Sequence, residues 1–182
     1  MGNKTLWTQF EGWKKDYKWV DLTRELSVDT PHWSGFPDMV VEVPFDYPDG
    51  FFVHKYTVVS QYGTHIDAPY HFLNDGNTVE QIPLEYFVGT CYVTHRDGEL
   101  TANDAEEIMQ EAKADNASER ILIGGNVTVT TEAAKVFAEY GIKLIGNKGL
   151  SIGPVDAPME VHKILLSANV CSSEFNFKLK PP

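Results

Sequence analysis

The most regular pattern in the chain lies just past its middle. Ala105, Ile108, Met109 and Ala112 fall at i, i+3, i+4 and i+7, which predicts a helix, and Asn103 with Glu106 three residues on reads as its capping box. A second helix starts at Thr130 or Thr131, carries Ala134, Phe137 and Ala138 on one face, and stops at Gly141. The stretch "DAPMEVHKILLSAN" predicts a third, with Pro158 near its start and Val161, Ile164, Leu165 and Ala168 on one side. Between these helices, "RILIGG", "IKLIG" and "VCSSEF" are short apolar runs that read as buried strands. Upstream the period changes. "WVDLTREL" and "GTCYVTHR" read as strands, the latter followed by a turn at "DGE". "MVVEVPFDY" and "FFVHKYTVVSQYGTHID" read as a strand pair joined around "PDG". Residues 1–18 place Trp7, Phe10, Trp13 and Tyr17 at roughly helical spacing, an amphipathic helix docked on its own domain or on a second subunit. Strand-rich first half, alternating second half, no repeat and no linker: the pattern predicts one α/β domain over 1–182 with a mixed sheet.

Composition narrows the partners. A formal net charge of -11 argues against nucleic acid and against an anionic membrane surface. No stretch reaches transmembrane length, the N-terminal "MGNKTLWTQF" lacks a secretory apolar core, and Leu6 stands where a myristoylation signal wants Ser or Thr; the expected location is the cytoplasm. The two cysteines, Cys91 and Cys171, read as buried free thiols, with a single disulfide as the alternative.

The chemistry concentrates in "SQYGTHIDAPYHF", residues 60–72. On a strand, side chains two apart share a face, so Gln61, His65 and Asp67 fall together. Pro69 cannot donate to a central ladder, so the strand ends before it and His71 sits on a loop beside the site. An amide, two imidazoles and a carboxylate are the inventory of a metal site.

These residues carry a resemblance. "QYGTHIDAPYHF" resembles the H-x-G-T-H-x-D-x-P-x-H signature of the metal-dependent cyclase family, the kynurenine formamidase- and isatin hydrolase-like hydrolases. "DLT" with "TPHW", "GIKLIGNKGLSIGPVDAP" and "VHKILLSANVCSSEF" are similar to further segments of that family, so the likeness runs from about Trp19 to Glu174. It implies a swivelling β/β/α fold and hydrolysis of a small amide, lactam or ester, an activity on C–N bonds other than peptide bonds of the arylformamidase kind. It implies one or two divalent ions, Zn or Mn. It also implies the metal ligands Gln61, His65, Asp67, His162 and Glu174, with His71 as the catalytic base. Such a metal lowers the pKa of a bound water toward about 7, and an imidazole of ordinary pKa near about 6.5 suits the proton shuttle. Thr64 would support the ligands by a hydrogen bond. The small carbonyl substrate would lie against Trp33 and Phe36, which read equally as core plugs. A homo-oligomer, dimer or tetramer, is expected from the aromatic N-terminus.

This chain also departs from the family pattern. Gln61 stands where His is usual and offers only a neutral carbonyl, which points to one metal or to a harder ion such as Mn. Lys148 and Gly153 replace usual aspartates, "LIGGN" replaces a Thr-Gly pair with a longer loop, and the family pattern generally continues through another strand beyond "FKLKPP". These departures define the alternative: a catalytically impaired relative that binds a metal or small ligand without turnover. His32, His54 and His95 read as surface or internally satisfied residues. A Ser60–His65–Asp67 triad is disfavoured because triad partners converge from distant positions. "GGN" reads as a turn rather than a phosphate loop.

Overall fold

The computed structural model describes residues 6–174; the side chains of Leu6, Trp7, Phe10 and Glu174, and the expectations that rest on Trp7 and Phe10, lie outside the described residues. In chain order the elements are α1 (Leu6–Asp16), β1 (Val40–Phe45), β2 (Val53–Thr57), β3 (His65–Asp67), β4 (Tyr92–His95), β5 (Gly98–Leu100), α2 (Ala102–Ala114), β6 (Arg120–Gly124), β7 (Val127–Val129), α3 (Thr131–Tyr140), β8 (Leu144–Asn147), α4 (Pro158–Ser167) and β9 (Cys171–Glu174). Single 3-10 turns punctuate the loops at Tyr47–Asp49, Pro69–His71, Val79–Gln81 and Leu84–Tyr86.

The frame is a five-stranded sheet in the order β3-β9-β8-β6-β4. Four strands run parallel, and β3 is added antiparallel to β9 at the edge. The sheet is mixed, as the sequence predicts. β6 and β8 are buried along their whole length, which is why they read as unbroken apolar runs rather than as alternating ones. One face packs under α2, α3 and α4 through Ile108, Phe137, Ile121, Ile145, Val161 and Leu165. On the other, Ile82, Leu144 and Cys171 meet Ile66, Ala68, Tyr86 and Phe87 from the loops that follow β3. Arg120, buried at the start of β6, ties those loops down: its guanidinium donates to the carbonyls of Tyr86, Thr90 and Glu85.

The helices confirm their predicted faces with one correction at a cap. Ala105, Ile108, Met109 and Ala112 are all buried. The cap of α2 is Thr101, not Asn103: its hydroxyl accepts from Asp104 N–H, and the Asp104 carboxylate accepts from Thr101 N–H at 2.8 Å. Such a reciprocal cap is worth about 1 kcal/mol. Thr130 caps α3 and Gly141 closes it. Of the predicted α4 face, Val161 and Leu165 are buried while Ala168 is exposed just past the helix end. Trp13 of α1 and Tyr17, just past its end, are exposed.

Three strand expectations change. "WVDLTREL" forms no ladder; side-chain bonds tie it down instead, with Arg24 N–H donating to the Thr64 hydroxyl at 2.9 Å and the Thr30 hydroxyl donating to the Glu25 carbonyl at 3.1 Å. "FFVHKYTVVSQYGTHID" is two strands. It pairs with β1 as far as Thr57, then turns before β3, with Gly63 in the left-handed region at φ 67. That conformation is strained for any residue with a Cβ and open to glycine. Finally, "DGE" enters β5, which pairs in parallel with β7 in a separate two-stranded sheet. Among the described residues no helix is long and apolar enough to cross a membrane.

Candidate functional site

β3 is only three residues long, yet it positions the centre of the site. Its alternation sends His65 and Asp67 to one side, as the period of two requires, and its antiparallel pairing sets Asp67 against Ser172 and His65 against Glu174. Asp67 is 3% exposed, so its carboxylate needs partners. It has four. Ser172 Oγ donates to Oδ2 at 3.1 Å and Gln61 Nε2 donates to Oδ1 at 2.8 Å. His65 Nε2 lies 3.6 Å from Oδ1, and His162 Nε2 lies 3.6 Å from Oδ2. One imidazole thus faces each carboxylate oxygen.

The other nitrogen of each ring fixes its tautomer. His65 Nδ1 sits 3.0 Å from the Gly63 carbonyl and His162 Nδ1 sits 2.7 Å from the Pro158 carbonyl. A carbonyl only accepts, so Nδ1 carries the proton in the neutral ring and Nε2 presents a lone pair. Two lone pairs turned toward one carboxylate repel unless a cation or added protons lie between them. Nitrogen and carboxylate oxygen are the donors that zinc and manganese prefer, and the backbone bonds at Nδ1 are the supports metal-binding histidines use. The residues fit a divalent cation. Among the described residues, no three His, Cys, Asp or Glu side chains already close round one point. Glu174 ends β9 with its backbone opposite His65.

Gln61 departs from the expected role. It presents its amide nitrogen, not its carbonyl, to the site: Nε2 donates to Asp67 and also lies 2.9 Å from His71 Nε2. One amide group satisfies two acceptors. His71 stands in the 3-10 turn Pro69–His71, past the end of β3 as Pro69 predicts, with Phe72 edge-on to its ring. Burial holds the His71 pKa below its ordinary value; the Asp67 charge opposes that shift, and His162 and His65 add to it. Thr64 does not reach the ligands; its hydroxyl pins the Arg24 backbone.

These side chains open into a cavity of about 410 Å³, a size suited to a small molecule. Trp33, Phe36, Phe72, Leu150 and Met159 supply most of its apolar lining. Trp33 and Phe36 are therefore pocket residues. The loop that carries them is anchored by Tyr62, which is buried: its hydroxyl accepts from Met39 N–H at 3.0 Å and lies 2.8 Å from His32 Nδ1, while the two rings stack at 4.6 Å. His32 thus serves the loop, and its Nε2 faces Asp38 at 3.5 Å. His54 and His95 pair with Tyr56 and Asp97 away from the cavity. Sequence reasoning missed Tyr62, Ser172, Phe72 and Met159. The parity of Tyr62, opposite to that of Gln61 and His65, could have marked it as buried; nothing local marks Ser172.

Gly153, where the family pattern has an aspartate, lies against α4. A Cβ there would stand 3.0 Å from Val161 Cβ and 3.2 Å from the Pro158 carbonyl, so the close approach of the helix that brings in His162 favours glycine. Lys148 is exposed.

An α/β sheet whose edge strand holds a buried carboxylate between two imidazoles, at the end of an apolar cleft, defines a small-molecule site with the donor set of a metal centre. The chain belongs to the cyclase family: residues 20–154 match the model described as "Putative cyclase". It is 28% identical over 174 residues to the kynurenine formamidase of Bacillus cereus, an alignment covering 86% of this chain and 80% of that one. Two solved structures share the fold. One is a potential metal-dependent hydrolase with cyclase activity, at TM-score 0.71 and 24% identity, covering 89% of this chain and 83% of the other. The second is an isatin hydrolase bound to the product analogue thioisatinate, at TM-score 0.83 and 15% identity, covering 100% of this chain and 89% of the other.

Proposed function

We propose that this protein hydrolyses a small non-peptide amide or lactam in the cavity beside Asp67. The observation that carries the reading is the carboxylate of Asp67 flanked by His65 Nε2 and His162 Nε2 at 3.6 Å each, with His71 joined to it through Gln61. The family and the kynurenine formamidase relatives support the same bond type.

His65, Asp67 and His162 would hold a divalent ion, with positions 61 and 174 beside them; Zn and Mn both suit nitrogen and carboxylate donors. When bound, such an ion supplies Lewis acidity at the scissile carbonyl and acidifies a water. The rest falls to the chain's own side chains. Gln61 N–H holds His71 in the tautomer with its lone pair on Nε2. Once the Gln61 N–H releases it, His71 Nε2 takes a proton from the attacking water and returns it to the departing nitrogen, and burial, which lowers its pKa, keeps the ring neutral at pH 7. Trp33, Phe36 and Phe72 exclude bulk water and present flat apolar surface to the substrate. The cytoplasm is the compartment this reading assumes.

The test is a panel of N-aryl formamides, lactams and esters offered to protein of measured metal content. The reading expects turnover that tracks metal occupancy and disappears on chelation. Binding of metal with no hydrolysis across the panel would transfer support to the second reading, a ligand-binding relative without turnover. One observation favours that alternative: Gln61 caps Asp67 Oδ1 with an N–H and so competes with a cation for that oxygen. In Gln61→His, recovery of turnover would assign the impairment to this residue.

A further inference from the structure

The two oxygens of the Asp67 carboxylate have different neighbours. Oδ2 receives the Ser172 hydroxyl at 3.1 Å and faces His162 Nε2 at 3.6 Å. Oδ1 receives Gln61 Nε2 at 2.8 Å and faces His65 Nε2 at 3.6 Å. Both imidazoles keep their Nδ1 proton on a backbone carbonyl, so both Nε2 lone pairs remain for a cation. A carboxylate between two such rings has the layout of a bridge, with one ion on each oxygen. Position 61 decides whether that layout fills. It adjoins Oδ1, and the group it presents there is an N–H. The amide is fixed in that orientation twice over, because Asp67 Oδ1 at 2.8 Å and His71 Nε2 at 2.9 Å accept from the same nitrogen. Turning Oε1 inward would replace two donor–acceptor contacts by two acceptor–acceptor ones.

From this arrangement we infer that Gln61 limits the centre to one divalent ion per chain. This stoichiometry rests on the metal-dependent reading above and adds to it the residue that sets the number. The supply of donors is the first reason. A catalytic ion takes about three protein ligands and keeps a place for water. His65, Asp67 and His162 supply that number once. Even with Glu174 allotted to a second ion beside His162, the ion beside His65 is left with one ring nitrogen and Oδ1. The amide dipole is the second reason. Its N–H turns a positive end toward Oδ1, so a cation approaching that oxygen meets a like partial charge. On Oδ2 the Ser172 hydroxyl can rotate its hydrogen away. The amide of Gln61 has no such freedom while His71 also holds it.

The experiment counts ions. Protein stripped with chelator is reloaded with excess Mn²⁺, freed of loose ion by gel filtration, and measured for metal per chain. Electron paramagnetic resonance of the same sample reports whether the ions are coupled. Wild type should hold one ion per chain, with the spectrum of an isolated Mn²⁺. Gln61→His adds a ring nitrogen, and Gln61→Glu keeps the shape while exchanging the N–H for an oxygen. Both should move toward two ions per chain, which at the usual separation of about 3.5–4 Å give a coupled spectrum. Two coupled ions in wild type overturn the inference and leave the hydrolase reading standing. So does a single ion in all three proteins, each folded by circular dichroism, since position 61 would then not set the number. One ion in wild type and two in the variants, with no turnover in any of them, sustains the inference while the hydrolase reading falls. A wild type that binds no ion at all overturns both.

Discussion

Asp67 and Ser172 lie 105 residues apart in the chain and 3.1 Å apart in space. The bond joins the edge strand to its neighbour and fixes the carboxylate on which both imidazoles converge. Ser172→Ala leaves a buried carboxylate oxygen one donor short. The expected cost is about 1–3 kcal/mol of stability, with a divalent ion held roughly 10–100-fold less tightly. Urea unfolding and metal titration would measure the two effects. Unchanged metal affinity would show that Ser172 supports the strand pair alone.

His71 gives a prediction with a sign. Burial lowers its pKa, so the neutral ring persists to lower pH than an ordinary histidine would allow. If Nε2 is the base, kcat/KM stays level as pH falls from 8 and declines only below about 6.5. His71→Ala should cost about 10²–10⁴-fold in kcat and remove that acid limb while metal content stays at wild type. An acid limb that survives the substitution would assign it to another group.

Tyr62→Phe removes one oxygen, strands the buried N–H of Met39 and leaves His32 Nδ1 only the Thr30 carbonyl. A loss of about 1–3 kcal/mol is expected. Since the same loop carries Trp33 and Phe36, KM should rise more than kcat falls. Steady-state kinetics on any substrate found would separate the two.

The cysteines should be quiet. Burial pushes both Cys91 and Cys171 up to about 11, with Arg120 pulling only weakly against it at Cys91. At pH 8 an ordinary thiol near 8.5 is far more ionised than one at about 11, so iodoacetamide should label the native protein roughly 100-fold more slowly than the unfolded chain. Rapid native labelling would mean that β9 opens readily at Cys171, or that the chain entering β4 does so at Cys91.

How much of this was legible beforehand differs residue by residue. His65 and Asp67 were placed together by strand parity, and the break before His71 by the missing N–H of Pro69; both are local rules. The face of α2 was legible for the same reason. Its cap was not, because Thr101-x-x-Asp104 and Asn103-x-x-Glu106 fit one template two residues apart, and only the path of the backbone chooses between them. β5 and β7, three residues each, are too short to show a period. Ser172 and Tyr62 were invisible because their roles depend on register and on a loop returning from elsewhere. The hairpin was read correctly as a pair of strands, but no sequence rule said that it would stand clear of the core.

One consequence concerns synthesis. β3 and β9 meet only when the chain has been made through Glu174, more than 100 residues after His65 leaves the ribosome. At the usual ~5–20 residues per second, this leaves the motif unpaired for roughly 5–20 s. A nascent chain that stops short of β9 would therefore carry all of "GTHIDAPYH" yet have no strand against which to set Asp67. Its competence depends on a strand translated more than 100 residues later, not on the segment that names the family.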